Sequence, residues 1–145
     1  MTVQTATESN IRQAVPFFMV HDIDASLRFY AEGLGFRKTL EWVTDGKLQW
    51  CWLEVGDAAL MLQEFSKSPQ ANLPRTALGL GVSICFVCND AIGLYKEFKS
   101  RGVAAKKPFV GNQMWVTSVV DPDGYRLDFE SSTDAPEESE LSEDF

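Results

Sequence analysis

The chain has 145 residues, of which 45% are apolar and 12% aromatic, which is enough for one hydrophobic core of ordinary size. No apolar run approaches the ~20 residues of a membrane-spanning helix, and residues 1–13 lack the apolar stretch of a secretory signal, so we expect a cytoplasmic protein. The net charge of −8 disfavours nucleic acid as a partner, because phosphates need basic residues to neutralise them.

The negative charge is concentrated near the C-terminus. Six acidic residues and no basic residue follow Glu130, so residues 1–130 carry a net charge of only −2. Acidic segments of this kind are usually solvated. The expected organisation is therefore a flexible N-terminus at 1–12, one domain at 13–131 and an acidic tail at 132–145.

The domain is predicted to begin with a strand and a helix. An apolar run at 15–20 has the length of a strand. Asp22 or Asp24 can cap a helix whose apolar residues recur at helical spacing, and Gly33 and Gly35 suit its end.

Three strands and two tight turns follow this helix. Alternation of apolar and polar residues predicts strands at 36–43, 48–55 and 58–64. The dipeptides Asp45-Gly46 and Gly56-Asp57 are typical of two-residue hairpin turns. The first module, residues 13–64, thus has the order βαβββ.

The second half repeats this order after a predicted linker at 65–79. Asn89 or Asp90 can cap its helix, and a four-residue turn at 121–124 joins its last two strands. Its predicted strands span 80–88, 113–120 and 125–130, with a short segment at 103–109. Asp22 and Asp90 lie 68 residues apart, and a nearly constant offset between matching elements indicates two copies of one unit.

The sequence therefore predicts an α+β fold made of two βαβββ modules, 13–64 and 80–131. Two such copies can share one curled mixed sheet, with the helices on its outer face. The three cysteines are too few and too irregularly spaced for a disulfide framework, so we expect reduced thiols.

Turn length predicts which side chains of the first module share a face. With two-residue loops, Leu40 lies opposite Cys51, and Trp52 lies opposite Thr39 and Met61. The face that packs on the helix then contains Leu40, Trp42, Cys51, Leu53, Val55, Leu60 and Leu62. The other face contains Arg37, Thr39, Glu41, Trp50, Trp52, Glu54, Met61 and Gln63.

The same reasoning for the second module uses its four-residue turn. This turn places Thr117 opposite Asp128 and Trp115 opposite Glu130, on the face away from the helix. Large aromatic residues among polar ones indicate either a ligand cleft or a second packing layer such as a subunit interface. With three tryptophans on this face we favour a cleft. A pure interaction module, whose tryptophans form a dimer contact, remains the alternative.

Three segments of the chain resemble one superfamily. They are AVPFFMVHDIDASLRFYAEGLGF, WLEVGDAALMLQE and WVTSVVDPDGYRLDFES. Their order and spacing are similar to those of the glyoxalase, bleomycin-resistance and extradiol-dioxygenase proteins, also called vicinal oxygen chelate proteins. The resemblance implies paired βαβββ modules that form an incomplete barrel, often completed in a dimer, around a small-molecule cleft.

Metalloenzymes of this superfamily hold a divalent ion with the first and fourth strands of each module. The resemblance places Val15, Met61, Ser83 and Asp128 at those positions, and only Asp128 is a good ligand for a hard ion. The single histidine, His21, lies at a strand-to-helix turn, where an exposed or capping role is expected. We therefore expect neither a metal nor another cofactor.

What remains resembles the bleomycin-resistance branch, which binds and sequesters a drug without metal or turnover. We expect a homodimer whose aromatic-lined cleft binds a planar or cationic small molecule. The expected ligand-binding residues are Phe17, Met19, Glu41, Trp50, Trp52, Met61, Gln63, Ser83, Trp115, Thr117, Asp128 and Glu130. The alternative is a glyoxalase- or dioxygenase-type enzyme that uses Asp128 or Glu130 as a ligand, or as a base with a pKa raised by burial.

Overall fold

The computed structural model describes residues 9–65 and 78–142. Residues 1–8, residues 66–77 of the predicted linker and residues 143–145 lie outside the described part. The first module contains β1 (Phe17–Val20), α1 (Ile23–Arg28) continued by a π-helical turn (Phe29–Gly33), β2 (Arg37–Thr44), β3 (Lys47–Val55) and β4 (Ala58–Glu64). The second contains β5 (Ser83–Val87), α2 (Ala91–Ser100), β6 (Phe109–Gly111), β7 (Met114–Val120) and β8 (Arg126–Ser132).

Both helices begin at predicted aspartates. The Asp22 carboxylate accepts hydrogen bonds from the N–H groups of Asp24 and Ala25, and the Asp90 carboxylate accepts one from the N–H of Gly93. These bonds satisfy N–H groups that have no partner inside the helix. Among the described residues, no helix is long and apolar enough to cross a membrane.

The two βαβββ modules are confirmed, but their strands form two separate four-stranded sheets instead of one shared sheet. The strand orders are β1-β4-β3-β2 and β5-β8-β7-β6, and the two sheets do not close into a barrel. Helix-facing side chains of both sheets belong to one hydrophobic core, which includes the fully buried Val20, Leu62 and Leu127. The opposite side of each sheet lies outside this core, and we call these sides open face 1 and open face 2.

The pairing of β3 with β4 confirms the prediction. Trp52 lies opposite Met61 and Trp50 opposite Gln63, as a two-residue turn requires.

The predicted pairing of β2 with β3 holds at both ends of the pair but is wrong in the middle. Gln49 on β3 and Thr39 on β2 are extra residues that make two β-bulges, and the register between them is shifted by one residue. Because side chains alternate along a strand, the shift moves Leu40 and Trp42 to open face 1 and Glu41 to the helix-facing side.

The predicted pairing of β7 with β8 is wrong by one residue throughout. The N–H of Asp121 donates to the carbonyl oxygen of Tyr125 (2.9 Å), so the loop has three residues, 122–124, instead of four. The last of them is a glycine with a φ of +99°, which is typical of three-residue hairpins. Trp115 and Thr117 consequently lie on the helix-facing side of the second sheet.

The β7–β8 hairpin makes polar contacts with the first module. The Tyr30 hydroxyl donates to the Asp121 carboxylate (2.7 Å). The Asp123 carboxylate accepts from the N–H of His21 (3.0 Å) and from the Ser26 hydroxyl (3.3 Å), and it lies 2.6 Å from Nδ1 of His21. These bonds fix the hairpin against α1 and the π-helical turn that continues it.

The same hairpin also docks an aromatic ring. Tyr125 stacks on Phe18, with ring centroids 4.2 Å apart and an interplanar angle of 9°. Its hydroxyl donates to the carbonyl oxygen of Met19 (2.8 Å). A side chain of the second module thus completes the edge of the first sheet.

Part of the acidic tail lies along β6. The N–H of Val110 donates to the carbonyl oxygen of Ser139 (2.8 Å), and the N–H of Leu141 donates to that of Pro108 (3.0 Å). The Glu137 carboxylate accepts from two N–H groups of the β6–β7 turn. The tail therefore covers the outer edge of the second sheet.

The junction predicts the effect of removing one hydroxyl. Tyr30→Phe should lower the free energy of unfolding by about 1–3 kcal/mol, because the buried Asp121 carboxylate loses a donor. Urea denaturation measures this change. Tyr95→Phe is the matched control, since Tyr95 is also buried but its hydroxyl bonds to no described residue. Equal losses in both variants would contradict the assignment.

Candidate functional site

Open face 1 carries two largely apolar rows of side chains across the first sheet, next to a row made of Ala59, Glu54 and Arg37. The first of these two rows contains Phe17, Met61, Trp52 and Leu40, and the second contains Met19, Gln63, Trp50 and Trp42. Gln63 is the one polar residue of the eight. Leu40 and Trp42 are 57% and 53% exposed, so the face presents an apolar surface to solvent. Exposed apolar patches of this kind mark binding sites more often than they mark ordinary surface.

Three indoles lie on open face 1. Trp42 is directly opposite Trp50 on the neighbouring strand, and Trp52 follows two residues later. The indole N–H of Trp52 donates to the Glu54 carboxylate (3.1 Å), which fixes its ring. Within the described part of the chain, no ring contact joins the three indoles to one another. Indole rings of this kind can stack on a planar ligand.

Open face 2 is polar at its centre. It has three rows of side chains. The first contains Ser83, Arg126 and Val120, the second contains Cys85, Asp128 and Ser118, and the third contains Val87, Glu130, Val116 and Phe109. The two faces therefore differ in chemistry although their modules share one topology. At the corresponding position of the fourth strand, one face has Met61 and the other has Asp128.

Asp128 is the centre of a hydrogen-bond network. One of its carboxylate oxygens accepts from Ser118 and from Nε of Arg126 (3.1 Å), and the other accepts from Ser83. Burial alone would raise the pKa of Asp128, but the bonds from Ser118, Ser83 and Arg126 outweigh it and lower the pKa below its usual range. Asp128 is therefore an ionised, fully engaged carboxylate. The raised pKa expected for a general base at this position is wrong.

Glu130 has a different environment on the same strand. It forms no ion pair with any described residue, and it accepts a hydrogen bond from the Cys85 thiol. Burial, followed by this bond, raises the pKa of Cys85 to about 12, so the thiol stays protonated. The Glu130 carboxylate is thus left to interact with a cation.

The structure places most of the expected ligand-binding residues on an open face. Open face 1 carries Phe17, Met19, Trp50, Trp52, Met61 and Gln63, and open face 2 carries Ser83, Asp128 and Glu130. Leu40 and Trp42 join open face 1 without having been expected there, because the two bulges are not encoded in the alternation of the sequence.

Three expected residues lie elsewhere. Glu41 is opposite Cys51 on the helix-facing side and pairs with Lys38. Thr117 is fully buried, and its hydroxyl donates to the carbonyl oxygen of Ala91 (2.7 Å). The reason in each case is a register shifted by one residue.

The shifted β7–β8 register also moves Trp115. Trp115 lies opposite Ser131, with its side chain on the same side of the sheet as the buried Val110. It therefore does not belong to the open faces.

The side chains at the four implied metal positions do not fit a hard divalent ion. Of the four positions implied by the resemblance, Val15 and Met61 carry no hard donor, and Ser83 already donates to Asp128. The described residues contain no group of three or more His, Cys, Asp or Glu side chains that could hold a metal ion.

The profile of one family matches most of the chain. It is that of the Glyoxalase/Bleomycin resistance protein/Dioxygenase superfamily, and it matches residues 11–129. No curated protein sequence matches the chain significantly.

Solved structures share the fold at low sequence identity. A bleomycin resistance determinant encoded on transposon Tn5 is 24% identical, with a TM-score of 0.65 and coverage of 84% of this chain and 98% of its own. A bleomycin-binding protein in complex with bleomycin is 22% identical, with a TM-score of 0.63 and coverage of 84% and 99%. TnmS3, an antibiotic-binding protein from Streptomyces sp. CB03234, is 20% identical, with a TM-score of 0.63 and coverage of 87% and 100%.

The Asp128 network predicts a pH-dependent contribution to stability. Because its folded pKa is lowered, this contribution is complete above the ordinary Asp pKa of about 3.9 and is lost as pH falls through the folded pKa. Asp128→Asn should therefore cost about 1.5–3 kcal/mol at pH 7, and the difference from the unaltered protein should shrink below about pH 4. Urea titrations between pH 3 and pH 7 would measure it, and a difference that stays constant over this range would contradict the network.

Proposed function

Because the chain belongs to the Glyoxalase/Bleomycin resistance protein/Dioxygenase superfamily, we propose that it binds and sequesters a small molecule that has a planar aromatic part and a positive charge. The observation that carries the proposal is open face 1, where three indoles, four further apolar side chains and one polar residue, Gln63, form two neighbouring rows. Stacking on such a surface favours planar ligands.

The charge preference is supported by open face 2. Arg126 compensates Asp128, whereas Glu130 has no cationic partner among the described residues. A ligand cation that reaches Glu130 gains an ion pair in a partly desolvated setting, where such pairs are worth more than on an open surface.

A homodimer would bring the two faces together. Within one chain they lie on different sheets, and both expose apolar side chains, including Trp42 (53%) and Val87 (80%). Open face 1 of one copy set against open face 2 of a second copy would cover these residues and enclose two equivalent clefts. The bleomycin-binding and antibiotic-binding proteins with this fold support a small molecule as the occupant.

We further propose that binding needs no metal ion, since the Asp128 oxygens are taken by Ser83, Ser118 and Arg126. The lowered pKa of Asp128 also argues against proton abstraction by this residue.

Ligand binding is tested by titrating the protein with metal-free bleomycin and with proflavine, a planar cation, in a calorimeter. Trp52→Leu should weaken binding by at least about tenfold, because a stacking surface is lost. Trp115→Leu is the matched control on the other side of a sheet and should leave affinity unchanged. No binding of any planar cation, or equal losses in both variants, would count against the proposal.

The role of charge has its own variant. Glu130→Gln should weaken proflavine binding several-fold, and the loss should shrink at high salt because screening weakens ion pairs. Asp128→Asn should have less effect on affinity, since Arg126 already compensates Asp128. The reverse order of effects would refute the assignment of Glu130.

The dimer is tested by sedimentation. The unaltered protein should sediment as a dimer at micromolar concentration, and Trp42→Lys should shift it to monomer by placing a charge in the contact. Lys99→Glu, on the exposed side of α2, serves as the charge-changing control and should remain dimeric.

A further inference from the structure

A cavity lies at the junction between the modules, beyond open face 1 and bordering open face 2 at Cys85 and Val87. Its volume is about 530 Å³, within the range of roughly 300–1,000 Å³ typical of small-molecule sites. The turn between β3 and β4 forms one wall, and β5, α2 and Phe129 form the rest. Six of the lining residues matter here: Phe86, Val87, Cys88, Asn89, Leu94 and Phe98.

The internal repeat gives these six residues counterparts in the first module. At the offset of 68 residues that relates Asp22 to Asp90, the counterparts are Phe18, Met19, Val20, His21, Ser26 and Tyr30. All of these except Val20 contact the β7–β8 hairpin. The cavity therefore lies at the position in the second module that corresponds to the docking position of the β7–β8 hairpin in the first. We call this docking position the receptor; the hairpin fills it in the first module, and the cavity is its second copy.

Turn length explains why only one copy is filled. The β7–β8 loop is three residues long and is followed by Tyr125, which reaches across the junction. The equivalent β3–β4 turn has only two loop residues, Gly56 and Asp57, between the paired Val55 and Ala58. This shorter turn lines the cavity but has no aromatic side chain to place in it.

The filled copy shows which chemistry the receptor takes. The phenol ring of Tyr125 stacks on Phe18 at 4.2 Å, and its hydroxyl donates to the backbone carbonyl of Met19 at 2.8 Å. In the cavity, Phe86 offers the matching ring and Val87 the matching backbone carbonyl at the edge of the second sheet. Phe86 is held in place by Phe129, whose ring is stacked on it at 5.0 Å.

We propose that this junction cavity is a second binding site, which takes a small phenol with its ring against Phe86 and its hydroxyl donating to the carbonyl of Val87. Stacking and one hydrogen bond supply the affinity, as they do for Tyr125 in the first module. The site uses neither the tryptophans of open face 1 nor Glu130, so its ligand contacts differ from those of the proposed function, although it borders open face 2 at Cys85 and Val87.

The test uses p-cresol, the side chain of tyrosine as a free molecule, with the full-length protein. Amide NMR should show saturable shifts in β5 and α2 with a dissociation constant of about 1 mM or lower. Toluene, which lacks the hydroxyl, should bind several-fold more weakly. Absence of saturable binding at millimolar p-cresol overturns the proposal.

Two variants locate the site. Leu94→Trp fills the cavity and should abolish the p-cresol shifts, whereas Trp52→Leu should leave them unchanged. If p-cresol binding survives in Leu94→Trp and is lost in Trp52→Leu, the probe binds open face 1 and the proposal is wrong. Replacing Gly56-Asp57 with the sequence of residues 121–125 provides a second cavity-filling variant if Leu94→Trp does not fold. It should also lose p-cresol binding.

The equivalence of the two copies has its own variant. Tyr125→Ala empties the filled receptor, so the number of p-cresol molecules bound should rise from one to two. The melting temperature lost on substitution should be partly recovered by p-cresol, because ligand that binds only the folded state stabilises it. A single p-cresol site in Tyr125→Ala, with no recovery of melting temperature, would show that the receptor does not take a free phenol.

Discussion

The docking of the β7–β8 hairpin into the first module is the constraint on which the rest of the structure depends. It places the carboxylates of Asp121 and Asp123 against α1 and the π-helical turn that continues it, and it places the ring of Tyr125 on Phe18 of β1. Burial raises the pKa of Asp121. Hydrogen bonds from the Tyr30 hydroxyl and from two backbone N–H groups offset part of the free energy that burying this carboxylate costs. With the helix-facing sides joined in one core, each sheet is left with an open face.

The two open faces carry different chemistry on the same backbone. The repeat gives the two sheets equivalent positions, and different residues occupy them. Met61 lies opposite Trp52 in the first sheet, whereas Asp128 lies opposite Ser118 at the equivalent place in the second. A ligand with only a planar part would need one face. Under the proposed function, a ligand that also carries charge gains from both faces, so the two modules together would provide what neither provides alone.

The alternation of residues in the sequence predicted the element order, the repeat and the β3–β4 register, and the observed caps, Asp22 and Asp90, are each one of the two candidates that the sequence offered. It did not predict registers that depend on backbone irregularity. No residue type in the sequence signals the bulges at Thr39 and Gln49. The segment 121–124 has the composition of a four-residue turn, but the hydrogen bond between Asp121 and Tyr125 shortens the loop to three residues. A shift of one residue reverses the face, which is why Trp42 was missed and Trp115 misplaced.

The bulges also affect how readily the edge strand β2 can pair with another chain. An exposed edge with Leu40, Trp42 and Val43 invites pairing with another chain, and proteins counter this with bulges and charges. Both occur here, since β2 is interrupted at Thr39 and carries the Lys38–Glu41 ion pair. The irregularity that weakens the edge as a template for aggregation is the same one that turns Trp42 toward open face 1. Protection of the edge and the position of Trp42 on open face 1 therefore follow from a single backbone feature.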